Sequence, residues 1–486
     1  MSAEIKNLEP KALWEIFYEL TRIPRPSRKE ARAVEFARTF GEKLGLETRV
    51  DPSGNVIIRK PASPGYENRQ GVILQGHLDM VPQKNSDVKH DFEKDPIDAW
   101  IDGEWVRARG TTLGSDNGMG VSAALSVLQD KNLRHGPLEV LMTVDEETGM
   151  TGAFKLERGV LQGKILLNLD SEDEGELYIG CAGGIDVSGK LKYTDAEVEK
   201  GSLAYRLILK GLKGGHSGLD INLGRGNSNL LMCRFLYEAT GKFGARLAEI
   251  EGGSLRNAIP RETFALVTVP ESGKDAFLAA VKEFDSVCRK ELGSVEPGIS
   301  FGAEPAALPG SLIDRASQDR LIRVVYGLPN GVIRMSAEMP GVVETSSNLA
   351  VVRSEKGAID VLCLVRSSVD SAKDSLATSL KSVMELAGAE AVLSGSYPGW
   401  KPDVNSPILA TMKKVYERDF GRVPEVKVIH AGLECGIIGD AYPGLDMISF
   451  GPTIRFPHSP DEKVLIPSVK KFWDFLVRTL EEVPAD

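Results

Sequence analysis

The sequence contains no run of about 18 or more uncharged apolar residues, so no transmembrane helix is expected. It also lacks a basic start followed by an apolar core, and MSAEIKNLEPKALWEIF does not read as a secretory signal. Cysteine is sparse. Cys181, Cys233, Cys288, Cys363 and Cys435 are scattered without a CxxC pair. An odd, dispersed set predicts reduced thiols in a cytoplasmic protein rather than a disulfide framework. Positive charge is in deficit: 59 Lys and Arg face 69 Asp and Glu, for a net charge of −10. A nucleic-acid partner, whose usual footprint is a basic face, is therefore not expected, nor is a membrane. No short-period repeat or low-complexity segment is present.

What is present suits a soluble globular protein, with 42% apolar and 26% charged residues. At 486 residues the chain is too long for one ordinary core. Ser27-Arg-Lys-Glu30 has the form of a capping box, followed by apolar residues at helical spacing to about Gly45. Short apolar runs at 55–59, 72–75, 138–144 and 165–169 read as buried strands, with a small, apolar helix at 118–129 among them. This alternation predicts an α/β fold: a mostly parallel sheet with helices on both faces.

The pattern changes near Gly184. Longer amphipathic strands (203–212, 263–269, 358–365) and helices (229–240, 272–292) indicate an α+β unit. After Tyr397-Pro-Gly-Trp400 the earlier alternation resumes, with a helix at 407–420, strands at 426–430 and 447–450, and a last helix at 468–483. The expected organisation is a discontinuous α/β domain, 1–186 and 397–486, interrupted by an inserted α+β domain, 187–396.

Only six histidines occur, and their settings separate them. His77 follows an apolar run in Gly76-His-Leu-Asp-Met80. Asp116 lies in the glycine-flanked turn Leu113-Gly-Ser-Asp-Asn-Gly118. Glu146 and Glu147 follow the run 138–144, and Asp170 ends the run 165–169. Taken singly, each has an ordinary explanation as a turn residue or a solvated charge. Together they bring acids and an imidazole to successive strand ends, where parallel sheets build their sites. Converging carboxylates repel unless a cation compensates them, and zinc accepts both nitrogen and carboxylate oxygen. His90 and His135 have no motif around them and read as surface residues.

The segments QGHLDMVPQKN, RGTTLGSDNGMG, DEETGMTGAF, NLDSEDEGELYIGCAGGID, LKGLKGGHSG, LRNAIPRE, PNGVIRMS, YPGWKPD, IHAGLECG and GPTIRFPHSPDE occur in this order. In them the chain resembles the M20 family of metallopeptidases over essentially its whole length. The resemblance implies two zinc ions per chain, with cobalt or manganese as possible substitutes. It assigns His77, Asp116 and Asp170 to one ion and Glu147, Asp116 and His458 to the other, Asp116 bridging. Asp79 would orient the His77 imidazole. Glu146 would be the general base acting on a metal-bridging water, and His216, in Gly214-Gly-His-Ser-Gly218, a donor to the oxyanion. His216 lies in the insert, so the insert would close over the metals or a second subunit would lend the residue. Asn257 and Arg366 match positions that hold a substrate carboxylate, and His430 and Glu434 would line the pocket. The activity implied is hydrolysis of dipeptides, Xaa-His among them, by a cytoplasmic homodimer paired through its inserted lid and dimerisation domain. Two other outcomes stay open: a related amidase acting on N-acyl amino acids, and a metal-loaded peptide-binding module without turnover. Glu146 argues against the last, since a binder needs no base.

Overall fold

Four apolar stretches make the centre of the first sheet. Leu138–Thr143, Val72–His77, Ile165–Asn168 and Asp446–Ser449 lie side by side in that order, all parallel. Every residue of the first three is buried in the computed structural model. Successive side chains of a strand point to opposite faces, so complete burial means that both faces are covered. The sheet is completed to eight strands by Glu47–Val50 and Val56–Lys60 at one edge and by Glu176–Cys181 and Glu425–Ile429 at the other. The strands flanking the parallel centre, Val56–Lys60 and Glu176–Cys181, run antiparallel to it. This is the α/β sheet that the strand–helix alternation predicts, parallel at its centre and mixed toward its edges.

The structure describes residues 3–485, and the chain forms two compact units. The first contains the chain up to Gly180, Trp400–Val428 and everything from Leu433 on. The second contains Cys181–Gly399 and the short segment Ile429–Gly432.

Two local expectations are corrected in the first unit, and one unforeseen helix is added. The helix at Ala31–Lys43 forms, but Ser27 and Glu30 do not cap it as a box. The Ser27 hydroxyl donates to Asp79 Oδ2 at 2.8 Å, while Glu30 accepts from the N–H groups of Arg28 and Asp145. Both side chains serve the loop below the strand ends instead. An earlier helix, Lys11–Thr21, buries Leu13, Trp14, Ile16, Phe17 and Leu20 and was not anticipated. His135 is buried rather than on the surface, with Nδ1 2.8 Å from Gly136 O.

A small antiparallel sheet in this unit joins Ile454–Arg455, Lys463–Leu465, Trp105–Ala108 and Ala99–Asp102. The turn between its first two strands carries His458.

The second unit is built on a nine-stranded sheet with antiparallel pairing throughout. From Ile185 on, the strand Gly183–Lys192 alternates buried and more exposed residues, which marks a sheet with one face on the core. The helices Ser228–Lys242, Lys274–Leu292, Arg315–Gly327 and Asp370–Leu386 supply that core's other side. Phe235 sits at its centre, with the rings of Phe277, Phe284 and Phe301 within 5.9 Å, centroid to centroid.

Candidate active site

The three central strands of the first sheet deliver their acids and imidazole to one place. His77 is the last residue of its strand and pairs with Thr143. Glu146 and Glu147 follow that neighbouring strand after a turn in which Asp145 adopts φ 56°. Asp170 lies two residues beyond Ile165–Asn168. Asp116 stands at the start of the helix Ser115–Gln129, where its own backbone is not helical.

The two oxygens of Asp116 face two different imidazoles. Oδ1 is 3.1 Å from His77 Nε2, and Oδ2 is 3.2 Å from His458 Nε2. His77 Nε2 is also 3.3 Å from Asp170 Oδ1, and His458 Nε2 is 2.9 Å from Glu147 Oε2. Potential ligand atoms of His77, Asp116 and Asp170 lie within 4.8 Å of one another, as do those of Asp116, Glu147 and His458. A third such group, His77, Glu146 and Glu147, brings Glu146 against the same centre.

Asp79 holds this arrangement from behind. Its carboxylate accepts the N–H groups of Glu146 and Glu147, at 3.0 and 3.2 Å, and lies 3.3 Å from His77 Nδ1. One side chain thus orients the imidazole and the backbone of both glutamates.

Electrostatics report how crowded the charges are. Burial pushes Glu146 well above the usual carboxylate range, and Asp170, Glu434 and Glu147 push the same way against His77. Burial likewise raises Asp170, to about 7. Burial would raise Asp116 too, but hydrogen bonds from His458 and His77 outweigh it and hold the carboxyl well below its ordinary value. His458 is raised to about 11 by its hydrogen bonds to Asp116 and Glu147. Protons thus do here what a divalent ion does better, which is to offset several converging carboxylates.

The residues fit such an ion. Glu147 Oε1 is buried with no hydrogen-bond partner, a costly state that a cation would relieve. Each group of three, one imidazole and two carboxylates, is also a donor set that suits zinc, with a further position left for water or substrate.

Glu434 lies in the same unit, 1% exposed. Its Oε2 accepts from Gln75 and Thr143, while Oε1 has no partner. Burial raises it to about 7.

The remaining sequence-derived candidates gather in the second unit. Gly215–His216 pairs with Ala258–Ile259, which sets Asn257 beside His216. The Asn257 carbonyl accepts from Ser217 N at 2.9 Å. Arg366 is 4% exposed, its Nε donating to Ser217 Oγ at 3.3 Å and its Nη1 to Tyr397 OH at 2.9 Å. His430 is buried, with Nε2 2.7 Å from Ser346 Oγ. Burial, and then the charge of Arg366, lower His216 below its ordinary value. Sequence reasoning missed Ser217, Ser346 and Tyr397 here, and Arg25 and Glu462 in the first unit. Ser217, Tyr397 and Glu462 lie inside the segments GGHSG, YPGWKPD and GPTIRFPHSPDE, which could have signalled them; Arg25 and Ser346 lie in none.

Comparison with known proteins identifies the family of the chain. Residues 73–482 match peptidase family M20/M25/M40. The chain is 47% identical over 483 residues to the cytosol non-specific dipeptidase of Escherichia coli strain K12, covering 99% of this chain and 100% of that one. The crystal structure of aminoacylhistidine dipeptidase from Vibrio alginolyticus superposes with a TM-score of 0.95 at 51% identity, over 100% of this chain and 99% of that one. Aminopeptidase PepT from Bacillus cereus shares the fold, with a TM-score of 0.57 at 17% identity over 98% of this chain and 99% of that one. The chain belongs to peptidase family M20/M25/M40.

Proposed function

We propose that this peptidase hydrolyses dipeptides, Xaa-His among them, at a pair of divalent metal ions, zinc being the ion its donors suit. The observation that carries the proposal is Asp116, whose two oxygens face His77 and His458 separately. His77, Asp116 and Asp170 would hold one ion, and Glu147, Asp116 and His458 the other. Bound ions there would polarise the scissile carbonyl and make water more acidic. The names of the Escherichia coli and Vibrio relatives support the substrate class, and that of the Escherichia coli relative a cytoplasmic location.

Glu146 takes a proton from the water whose oxygen forms a bond to the carbonyl carbon. As the carbon–nitrogen bond breaks, Glu146 passes that proton to the leaving amine. His216 donates to the developing oxyanion. Arg366 and Asn257 take the substrate carboxylate, and His430 lines the same pocket. The unpartnered, buried Glu434 Oε1 suits the free ammonium group of a dipeptide. We assign residues 1–186 and 397–486 to the catalytic domain, and 187–396 to a lid and dimerisation domain of a homodimer, with residues 181–186, 397–399 and 429–432 packing in the second compact unit.

The test is a panel of glycyl-histidine, β-alanyl-histidine, glycyl-leucine and an N-acetyl amino acid, assayed after chelation and again with zinc, cobalt or manganese restored. Turnover of the dipeptides alone, only with ions present and with about two per chain, is expected. Faster turnover of the N-acetyl amino acid, or activity insensitive to chelation, would refute the assignment. Glu146→Gln should keep its ions and lose about 100-fold or more in kcat.

A further inference from the structure

The helix that begins at Ser115 has no cap of its own. Gly114 precedes it in the left-handed region, φ 72°, with no side chain to accept a hydrogen bond. A helix start leaves backbone N–H groups that need acceptors. Glu462 provides them from the far end of the sequence. Its Oε2 accepts from Leu113 N at 2.8 Å and Gly114 N at 3.0 Å. Its Oε1 accepts from Ser115 N at 2.7 Å, the Ser115 hydroxyl at 2.6 Å and Asp116 N at 3.3 Å. The side chain is buried, and Glu462 N is tied back to Ser459 O at 2.9 Å. Glu462 therefore docks the turn that carries His458 onto the segment that carries Asp116.

Gly114 is held from its other side as well. The buried Arg25 donates from Nη2 to Gly114 O at 2.5 Å, and from Nη1 to Leu78 O at 2.9 Å and Asp79 O at 2.8 Å. A Cβ at position 114 would lie 2.7 Å from Arg25 Nη2 and 2.9 Å from Met80 Sδ. The three segments bearing His77, Asp116 and His458 thus meet at one glycine, between a buried cation and a buried carboxylate.

We propose that Glu462 is a positioning residue of the peptidase reaction, fixing the Asp116 carboxylate between His77 and His458 by accepting the N–H groups of Leu113 to Asp116. The proposal rests on the metal-centre reading above. A plain helix cap satisfies one or two N–H groups and stabilises by about 1 kcal/mol. Glu462 does more: it bonds residues on both sides of Gly114, including the backbone of Asp116 itself, which is non-helical at φ −84°, ψ 113°. That backbone decides where the two oxygens point, and a small rotation would take one of them away from its imidazole.

Glu462→Gln keeps the size but turns one acceptor into an amide whose N–H groups face backbone N–H groups. Glu462→Asp keeps the charge and withdraws it by one methylene, and it carries the test should the glutamine variant not fold. Asp446→Asn is the control. Asp446 accepts from Ser406 Oγ and Ile408 N at the start of the helix Pro407–Phe420, so its loss weakens a helix start away from these segments. Metal-stripped protein is titrated with cobalt and followed by visible absorption, alongside thermal unfolding and dipeptide kinetics. Glu462→Gln is expected to bind one of two cobalt equivalents about 10- to 100-fold more weakly, with a changed spectrum. Its kcat should fall at least about tenfold while KM stays within about twofold. Asp446→Asn should lower the unfolding midpoint and bind cobalt as the wild type does. Wild-type cobalt affinity and spectrum in a folded Glu462 variant would overturn the proposal, as would an equal loss of affinity in Asp446→Asn. A wild-type protein that takes up no cobalt would instead overturn the metal-centre reading itself.

Discussion

Two backbone N–H groups decide which nitrogen of His216 carries its proton. Gly218 N and Leu219 N both donate to Nδ1 at 3.1 Å, so Nδ1 is an acceptor and a neutral ring must carry its hydrogen on Nε2. Burial and the Arg366 charge favour that neutral form. A neutral ring with a fixed Nε2–H is a donor, and it suits an oxyanion better than it suits proton abstraction. His216→Ala should reduce kcat about 100- to 1000-fold without changing the metal content, the usual cost of one such donor. His216→Asn, whose amide can donate, should recover part of the loss. An alanine variant with near-normal kcat would remove His216 from the chemistry. At this scale the sequence speaks clearly where an acid or imidazole follows an apolar run, as His77, Glu147 and Asp170 do. Arg25 is silent in it, because its partners are backbone carbonyls that every sequence possesses, and Glu462 lies in a motif segment that does not say which groups it holds. Ser27 and Glu30 mislead: their spacing fits a capping box, but their partners, Asp79 Oδ2 and the Asp145 N–H, lie elsewhere in the chain.

Strands that are apolar throughout announce themselves, and the four of the parallel centre are legible to within about two residues. The long strand Val343–Glu355 and the helix Asp370–Leu386 are not. The strand mixes Glu, Thr, Ser and Asn into its buried part, where Asn348 Nδ2 bonds to Ala258 O at 2.8 Å. The segment Ile429–Gly432, which carries His430, continues a strand of the first sheet yet joins the second unit, and Ala182 N donates to its Ile429 and Ala431 carbonyls. No periodicity marks such a crossing. Gly218 shows how tightly this segment is placed. A Cβ there would lie 1.9 Å from His430 O and 3.1 Å from His216 Cε1. The nearer obstacle is backbone and cannot swing aside. Gly218→Ala should therefore destabilise by about 2 kcal/mol or more and lower kcat through His216. Thermal unfolding and kinetics on the same preparation would check both, and a variant normal in both would contradict the packing described.

The stability of the whole molecule should report on His430 as the pH falls. Burial, with the charge of Arg366 acting in the same sense, holds His430 down at about 3. In the unfolded chain its value is about 6.5. Below that pH the unfolded chain takes up a proton that the folded one refuses, so stability is lost on acidification. The contribution is complete above about pH 6.5 and falls away progressively toward about pH 3. At about 1.4 kcal/mol per pH unit, the loss reaches about 3 kcal/mol near pH 4, a large part of a typical domain's stability. Other groups titrate in this range, the carboxylates around Asp116 among them, so the wild-type curve alone does not isolate one histidine. The difference between two curves does. His430→Gln keeps a polar group near Ser346 Oγ but has no proton to gain. Urea unfolding from pH 7 to pH 4.5 should give a shallower decline for His430→Gln than for the wild type, even where the variant starts out less stable. Parallel declines would mean that His430 titrates alike in both states, and that the buried, neutral imidazole is not there.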